Sequence, residues 1–185
     1  MFGKRKDAAL DPLKEAAERA AKDFGTKEEY NEFLKDLQQN GPSPMIILGF
    51  LQEAATVCQT NNKAEFMSKI PIINGKTAVY LSSINPLHWV SMAAAIADAY
   101  IRFGEYELAT LRYESICEYA QLRFADKKET FGDFYNLSKL YERDKKYKKA
   151  ADTLEKGLDL YKKAGIANQN EINQYKAEIS NLRKK

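Results

Sequence analysis

Apolar residues recur along most of the chain at the three- and four-residue spacing that is typical of amphipathic helices. In the first part of the chain this spacing predicts helices over residues 11–24, 26–39 and 44–59. Asp11 before Pro12 is a helix-start pair, and Thr26 with Glu29 forms a capping box. The third of these helices is apolar nearly all round in its first half, which indicates that it is buried.

Residues 66–84 have a different character, because they are rich in Ile, Val, Thr and Tyr. Asn74 and Gly75 stand at the centre of this stretch and form the strongest short-range signal for a two-residue hairpin turn. Pro71 cannot donate a ladder hydrogen bond, so its strand is expected at a sheet edge. The pattern predicts a small β-hairpin inserted in a helical protein, with an irregular loop as the alternative.

From Pro86 onward the helical pattern resumes and continues almost to the end of the chain. It predicts helices over residues 86–103, 106–125, 129–143, 147–163 and 168–184. The breaks "FGE" and "RDKK" are as short as the connections of antiparallel helix pairs.

One spacing of aromatic and small residues occurs twice in this part, 41 residues apart. The two sets, in matching order, are Tyr100, Tyr106, Ala109 and Tyr113, then Tyr141, Tyr147, Ala150 and Leu154. Alanines let two helices approach closely, and the aromatic rings fill the space between them. The chain therefore contains two copies of the same helix–turn–helix unit.

This pattern resembles the tetratricopeptide repeat (TPR), in which helix pairs stack into a right-handed superhelix. Gly104 matches the family's turn glycine and Lys145 stands there in the second unit, while Ile116 and Gly157 replace the late alanine. The 41-residue spacing looks like the extended repeat type, of about 40 residues, rather than the common 34. The resemblance covers residues 87–165, and the last helix fits a solvating cap.

The fold expected from these observations is mainly α: antiparallel helix pairs stacked as a short TPR-like superhelix, with one small β-hairpin insertion. Residues 1–85 are expected to form N-terminal helices and the hairpin that cover the array, and residues 86–185 the TPR-like pairs and their capping helix.

The TPR resemblance implies that the first helix of each pair lines a concave groove. By this register the groove residues are Asp98, Arg102, Tyr135, Asn136, Lys139 and Arg143. The last four offer hydrogen-bond donors and an aromatic platform, which suit a carboxylate or an acidic segment of a protein partner. The alternative for all six is a solvated helix face.

Charge and composition give little support to nucleic-acid binding, metal binding or catalysis. The net charge is +3, and the last 60 residues carry 15 Lys and Arg against 10 Asp and Glu. Acidic residues interleave the lysines, so a solvated face is favoured over a nucleic-acid site. One histidine, His88, and two scattered cysteines give no metal spacing or catalytic arrangement, so neither cofactor nor metal is expected.

The longest apolar run, residues 45–51, is far shorter than the ~20 residues of a membrane span, and no signal-peptide core follows the basic start. These observations predict a cytoplasmic, non-catalytic protein–protein interaction module. It would act as an adaptor or scaffold that binds a partner segment in its groove. The alternative is a structural accessory or assembly subunit of a larger complex, held by its convex faces and hairpin.

Overall fold

The computed structural model describes residues 44–84, 86–123, 128–165 and 167–185, and throughout these ranges the chain is helical apart from short connections. They contain α1 (Pro44–Gln59), α2 (Lys63–Ile84), α3 (Pro86–Arg102), α4 (Tyr106–Arg123), α5 (Lys128–Arg143), α6 (Tyr147–Lys163) and α7 (Gln169–Arg183). The mainly helical prediction is confirmed for this part, and α1 and α3–α7 agree with it within about two residues at each end. The helices predicted over residues 11–24 and 26–39 lie outside the described residues.

The chain divides into two compact units at a boundary inside α3, between Ala99 and Tyr100. In the first unit, α1 packs against α2. In the second unit, α4 packs against α5, α5 against α6 and α6 against α7, each pair as antiparallel neighbours. Among the described helices, none is long and apolar enough to cross a membrane.

The hairpin predicted over residues 66–84 is wrong, because this segment is the continuous helix α2. Asn62 caps its start, accepting the N–H of Glu65 on its side-chain oxygen at 3.2 Å. The Asn74 side chain is only 1% exposed, so it lies in the core rather than at an exposed turn.

The helical period of the buried residues explains why the turn signal fails. Phe66, Ile70, Ile73 and Thr77 follow one another at four, three and four residues and all are buried. A strand would require alternation with period two, which these positions do not follow. Pro71 lies inside the helix and removes one backbone donor, a loss that the burial of this apolar face outweighs.

The two turns of the repeated unit have the same backbone structure. Gly104 and Lys145 have positive φ angles of 79° and 60°. In each turn the next residue donates its N–H to the carbonyl of a tyrosine five residues back, Tyr100 or Tyr141, at 2.9 and 2.8 Å. A second bond, of 3.0 and 2.9 Å, runs from the positive-φ residue to the carbonyl three residues before it. These bonds satisfy the last carbonyls of α3 and α5 in the same way, so the two copies of the sequence pattern share the same turn structure.

Small residues mark the close packing of α5 on α6. Ala150 is fully buried, and its carbonyl oxygen accepts a hydrogen bond of 2.9 Å from the Ser138 hydroxyl. At Gly157 a Cβ atom would lie only 2.5 Å from the Cβ of Phe134, so the two helix backbones nearly touch there. Ala109, the counterpart of Ala150 in the first repeat, is also fully buried.

The last helix, α7, closes the second unit against α6. Asn168 caps it in a capping box with Glu171, in which each side chain bonds the other residue's backbone N–H. Ile179 and Leu182 are buried, and most other side chains of α7 are exposed and polar.

Candidate functional site

Four of the six predicted groove residues lie on one face of α5, called here the α5 stripe: Tyr135, Asn136, Lys139 and Arg143. The opposite face of α5 is buried through Phe134, Leu137, Ser138, Leu140 and Tyr141. Because burial fixes the rotation of α5, the stripe points away from that core.

Arg143 is held over an aromatic ring at one end of the stripe. Its guanidinium carbon lies 3.3 Å from the centroid of the Tyr106 ring, at the start of α4. One of its terminal nitrogens donates to Asp144 Oδ1 at 3.2 Å, and the side chain remains half exposed. The ring holds the guanidinium in place, so the remaining donors of Arg143 have a defined orientation.

Asn136, in the middle of the stripe, also contacts α4. Its side-chain nitrogen donates to the hydroxyl oxygen of Tyr113 at 3.1 Å. Tyr113 is buried, whereas Asn136 is exposed, so the bond holds an exposed amide in a defined position.

Lys139 and Tyr135, by contrast, are in contact with α7 of the same chain. The Lys139 ammonium donates to Glu178 of α7 and, at 3.1 Å, to Glu142. It also lies 5.3 Å from the centroid of the Tyr135 ring, which meets the Tyr175 ring at 5.8 Å. One carboxylate and one aromatic ring of α7, those of Glu178 and Tyr175, therefore cover this half of the stripe.

The charges of this half are mutually stabilised. Partial burial lowers the pKa of Lys139, but its hydrogen bonds to Glu178 and Glu142 outweigh that effect and raise the pKa above its ordinary value. The pKa of Glu142 is lowered, first by its hydrogen bond from Lys185 and next by that from Lys139. Both groups therefore stay ionised at neutral pH.

An aromatic cluster supports the stripe from below. The ring of Phe131 stacks on that of Tyr161 at 4.9 Å and meets the edge of Tyr175 at 4.6 Å. Burial, together with the neighbouring Tyr135, raises the pKa of Tyr175, so its hydroxyl stays protonated at neutral pH. This cluster orients Tyr175 and Tyr135, and the Tyr135 ring lies beside Lys139.

The remaining two predicted groove residues lie on α3. Asp98 is exposed and belongs to the first compact unit. Arg102 belongs to the second unit, is exposed, and holds its guanidinium carbon 5.1 Å from the centroid of the Phe103 ring. Their assignment to a groove stays a prediction.

Sequence reasoning missed the partners of the stripe: Tyr106 and Tyr113 on α4, and Tyr175 and Glu178 on α7. Tyr106 and Tyr113 belonged to the repeat pattern and were expected only to fill space between helices. Tyr175 and Glu178 lie on the last helix, which was expected only to act as a solvating cap.

Comparison with family models, with curated proteins and with solved structures found no match to this chain. The TPR resemblance therefore rests on the repeated residues and on the repeated turn. Within the described ranges no three His, Cys, Asp or Glu side chains come together in a way that could hold a metal ion. Cys58 and Cys117 are buried and are not joined in a disulfide, and burial raises the pKa of the Cys117 thiol.

Proposed function

We propose that this chain is a non-catalytic protein-interaction module, built of TPR-like helix pairs, that holds an acidic segment of a protein partner on the α5 stripe. The observation that carries the proposal is the contact of the stripe with α7. There Glu178 presents a carboxylate to Lys139, and Tyr175 presents a ring to Tyr135. A partner segment of the same chemistry would continue this arrangement toward Asn136 and Arg143.

Arg143 is the anchor that we assign to the partner's carboxylate. Its guanidinium is oriented by the Tyr106 ring at 3.3 Å and is half exposed, so an incoming carboxylate meets a fixed donor group. Such charge-assisted hydrogen bonds are stronger than neutral ones and favour two parallel bonds to one carboxylate. Asn136 lies two helical turns earlier on the same face and adds neutral donor and acceptor groups.

The test is a double variant, Asn136→Ala with Arg143→Ala, used in capture from a cell extract and then with the purified partner. Lys139 is left intact because its removal would also break the bond to Glu178 and loosen α7. Loss of one charge-assisted and one neutral contact should weaken binding by about 2 kcal/mol, or roughly thirtyfold in Kd. The effect should shrink in high salt, because the contacts are partly exposed.

The matched control is Lys163→Ala with Asn170→Ala, which removes one cation and one amide at exposed positions outside the stripe. It should bind the partner as the unchanged protein does. Equal binding by the stripe variant and this control, with both helical by circular dichroism, would remove the α5 stripe from the proposed function.

The second candidate function is a structural accessory subunit of a larger complex. It is favoured by large apolar side chains left exposed on α1, α2 and α4, namely Leu48, Ile72 and Leu111, the last of them 56% exposed. Leu111→Lys should then release the chain from a copurifying assembly, whereas Glu107→Lys, an exposed change on the same helix, should not. Copurification unaffected by Leu111→Lys would count against this candidate.

A further inference from the structure

A cleft of about 380 Å³ lies between α6 and α7. Leu158 of α6 and Ile179 of α7 form its apolar floor, and both are nearly fully buried. Ser180 adds a hydroxyl to the wall. No residue of α5 lines the cleft, so it is separate from the α5 stripe.

Charged side chains form the rim of the cleft. Four are cations and two are carboxylates: Lys162, Lys176, Arg183, Lys184, Glu155 and Asp159. Both carboxylates are already paired within the protein, Glu155 with Arg183 at 2.6 Å and Asp159 with Lys162 at 3.2 Å. Two positive charges are therefore in excess at the rim.

Lys176 and Lys184 supply that excess charge. Both are exposed, and neither forms an ion pair with any other described residue. Lys176 lies in α7 and Lys184 caps the C-terminus of that helix, eight residues or about two helical turns further on, so the excess charge is spread along the length of the cleft. A compact anion would reach one lysine, whereas an extended acidic segment would reach both.

We propose that this cleft is a second docking site, for a short acidic segment of a protein partner that carries one apolar side chain. The acidic groups would pair with Lys176 and Lys184, and the apolar side chain would enter between the lysines toward Leu158 and Ile179. The volume is at the small end of ligand sites, which suits a few side chains and excludes a whole helix. Charge complementarity and the apolar floor together select this occupant over a free anion.

The experiment uses the full chain and a fluorescent nonapeptide that has four glutamates around a central leucine. Anisotropy at low salt should show binding, and replacement of the leucine by serine or of the glutamates by glutamines should weaken it. The variant Lys176→Glu with Lys184→Glu should weaken binding about tenfold or more, because two attractive charges become repulsive. The milder variant Lys176→Gln with Lys184→Gln should weaken it less and serves if the first loses helicity.

The matched control is Lys145→Glu with Lys148→Glu, which changes the net charge equally at two exposed lysines outside the cleft. It should keep most of the affinity. Three results overturn the proposal: no binding by the unchanged protein, equal weakening by both charge reversals, or indifference to the leucine. Loss of peptide binding only in Asn136→Ala with Arg143→Ala would also overturn it, while leaving the proposed function of the α5 stripe in place.

Discussion

Gly157 offers a test of how closely α5 and α6 approach. A Cβ added at this glycine would lie 2.5 Å from the Cβ of Phe134, 3.1 Å from its Cγ and 3.4 Å from Phe131 Cδ2. The Cβ of Phe134 is fixed by its own backbone, so no side-chain rotation can relieve the contact. Gly157→Ala therefore forces the two helices apart.

Two opposing effects set the size of the stability change in Gly157→Ala. Alanine in place of glycine inside a helix stabilises it by about 1 kcal/mol. Overpacking of a well-packed contact costs about 1–3 kcal/mol, and a contact this short belongs at the upper end. The net expectation is a loss of about 2 kcal/mol, which lowers the melting temperature of a chain of this size by roughly 4–8 °C.

Gly132→Ala in α5 is the matched control, because a Cβ there meets nothing within 4 Å. Only the propensity gain applies, so this variant should melt a few degrees higher, by about 2–4 °C. Both variants are compared with the unchanged protein by thermal melts followed in far-ultraviolet circular dichroism. The two substitutions are chemically identical, so opposite signs would isolate the packing effect.

The reasoning is refuted if Gly157→Ala raises the melting temperature as Gly132→Ala does. That result would mean that α5 and α6 lie farther apart than the structure places them. A fall of less than a degree would mean that the helices move apart with little loss of contact.

Three further predictions address the turns, the core and the response to acid. Lys145→Gly should raise the free energy of unfolding by about 1 kcal/mol in urea denaturation, since lysine at a φ of 60° is strained; an unchanged midpoint would contradict this. Ala150→Leu should lower the free energy of unfolding by about 1–3 kcal/mol, because Ala150 is fully buried and a larger side chain would overpack the contact. Thermal melts check this. The pKa of Glu142 lies below its ordinary 4.5, so its ion pairs stabilise the fold above that pH and the stabilisation is lost as the pH falls through the lowered pKa. Glu142→Gln should therefore lose less stability than the unchanged protein between neutral and acidic pH. Melting temperatures measured across this pH range check this, and an equal fall in melting temperature for both proteins would contradict it.

Most helices could be predicted from local pattern, because burial of a helix face imposes its period on the sequence. The helices after Pro86 follow this rule, and their ends are set by turn residues such as Gly104. The hairpin prediction around Asn74 was wrong because it relied on a two-residue turn signal and not on the helical period of the apolar residues around it. The buried positions Phe66, Ile70 and Ile73 carried the helical spacing throughout.

The candidate site could be predicted only in part. The repeat register placed Asn136, Lys139 and Arg143 on one face of α5, since that follows from helix geometry alone. Which helices cover that face depends on contacts between residues distant in the chain, such as Lys139 with Glu178. Spacing within one helix contains no information about such contacts, so the contribution of α7 could not be foreseen.

The hydroxyl of Ser138 has a consequence for how the chain assembles. A protein that repeats one helix pair can join the wrong copies, because the apolar faces are similar and hydrophobic contact is not directional. Ser138 stands where the first copy has Ala97, and its bond to the Ala150 carbonyl forms only when α5 meets α6 in the native alignment. In another pairing the hydroxyl would lose the Ala150 carbonyl, and an intramolecular hydrogen bond of this kind contributes about 0.5–1.5 kcal/mol. One oxygen atom thus distinguishes the second pair from the first and disfavours exchange between copies.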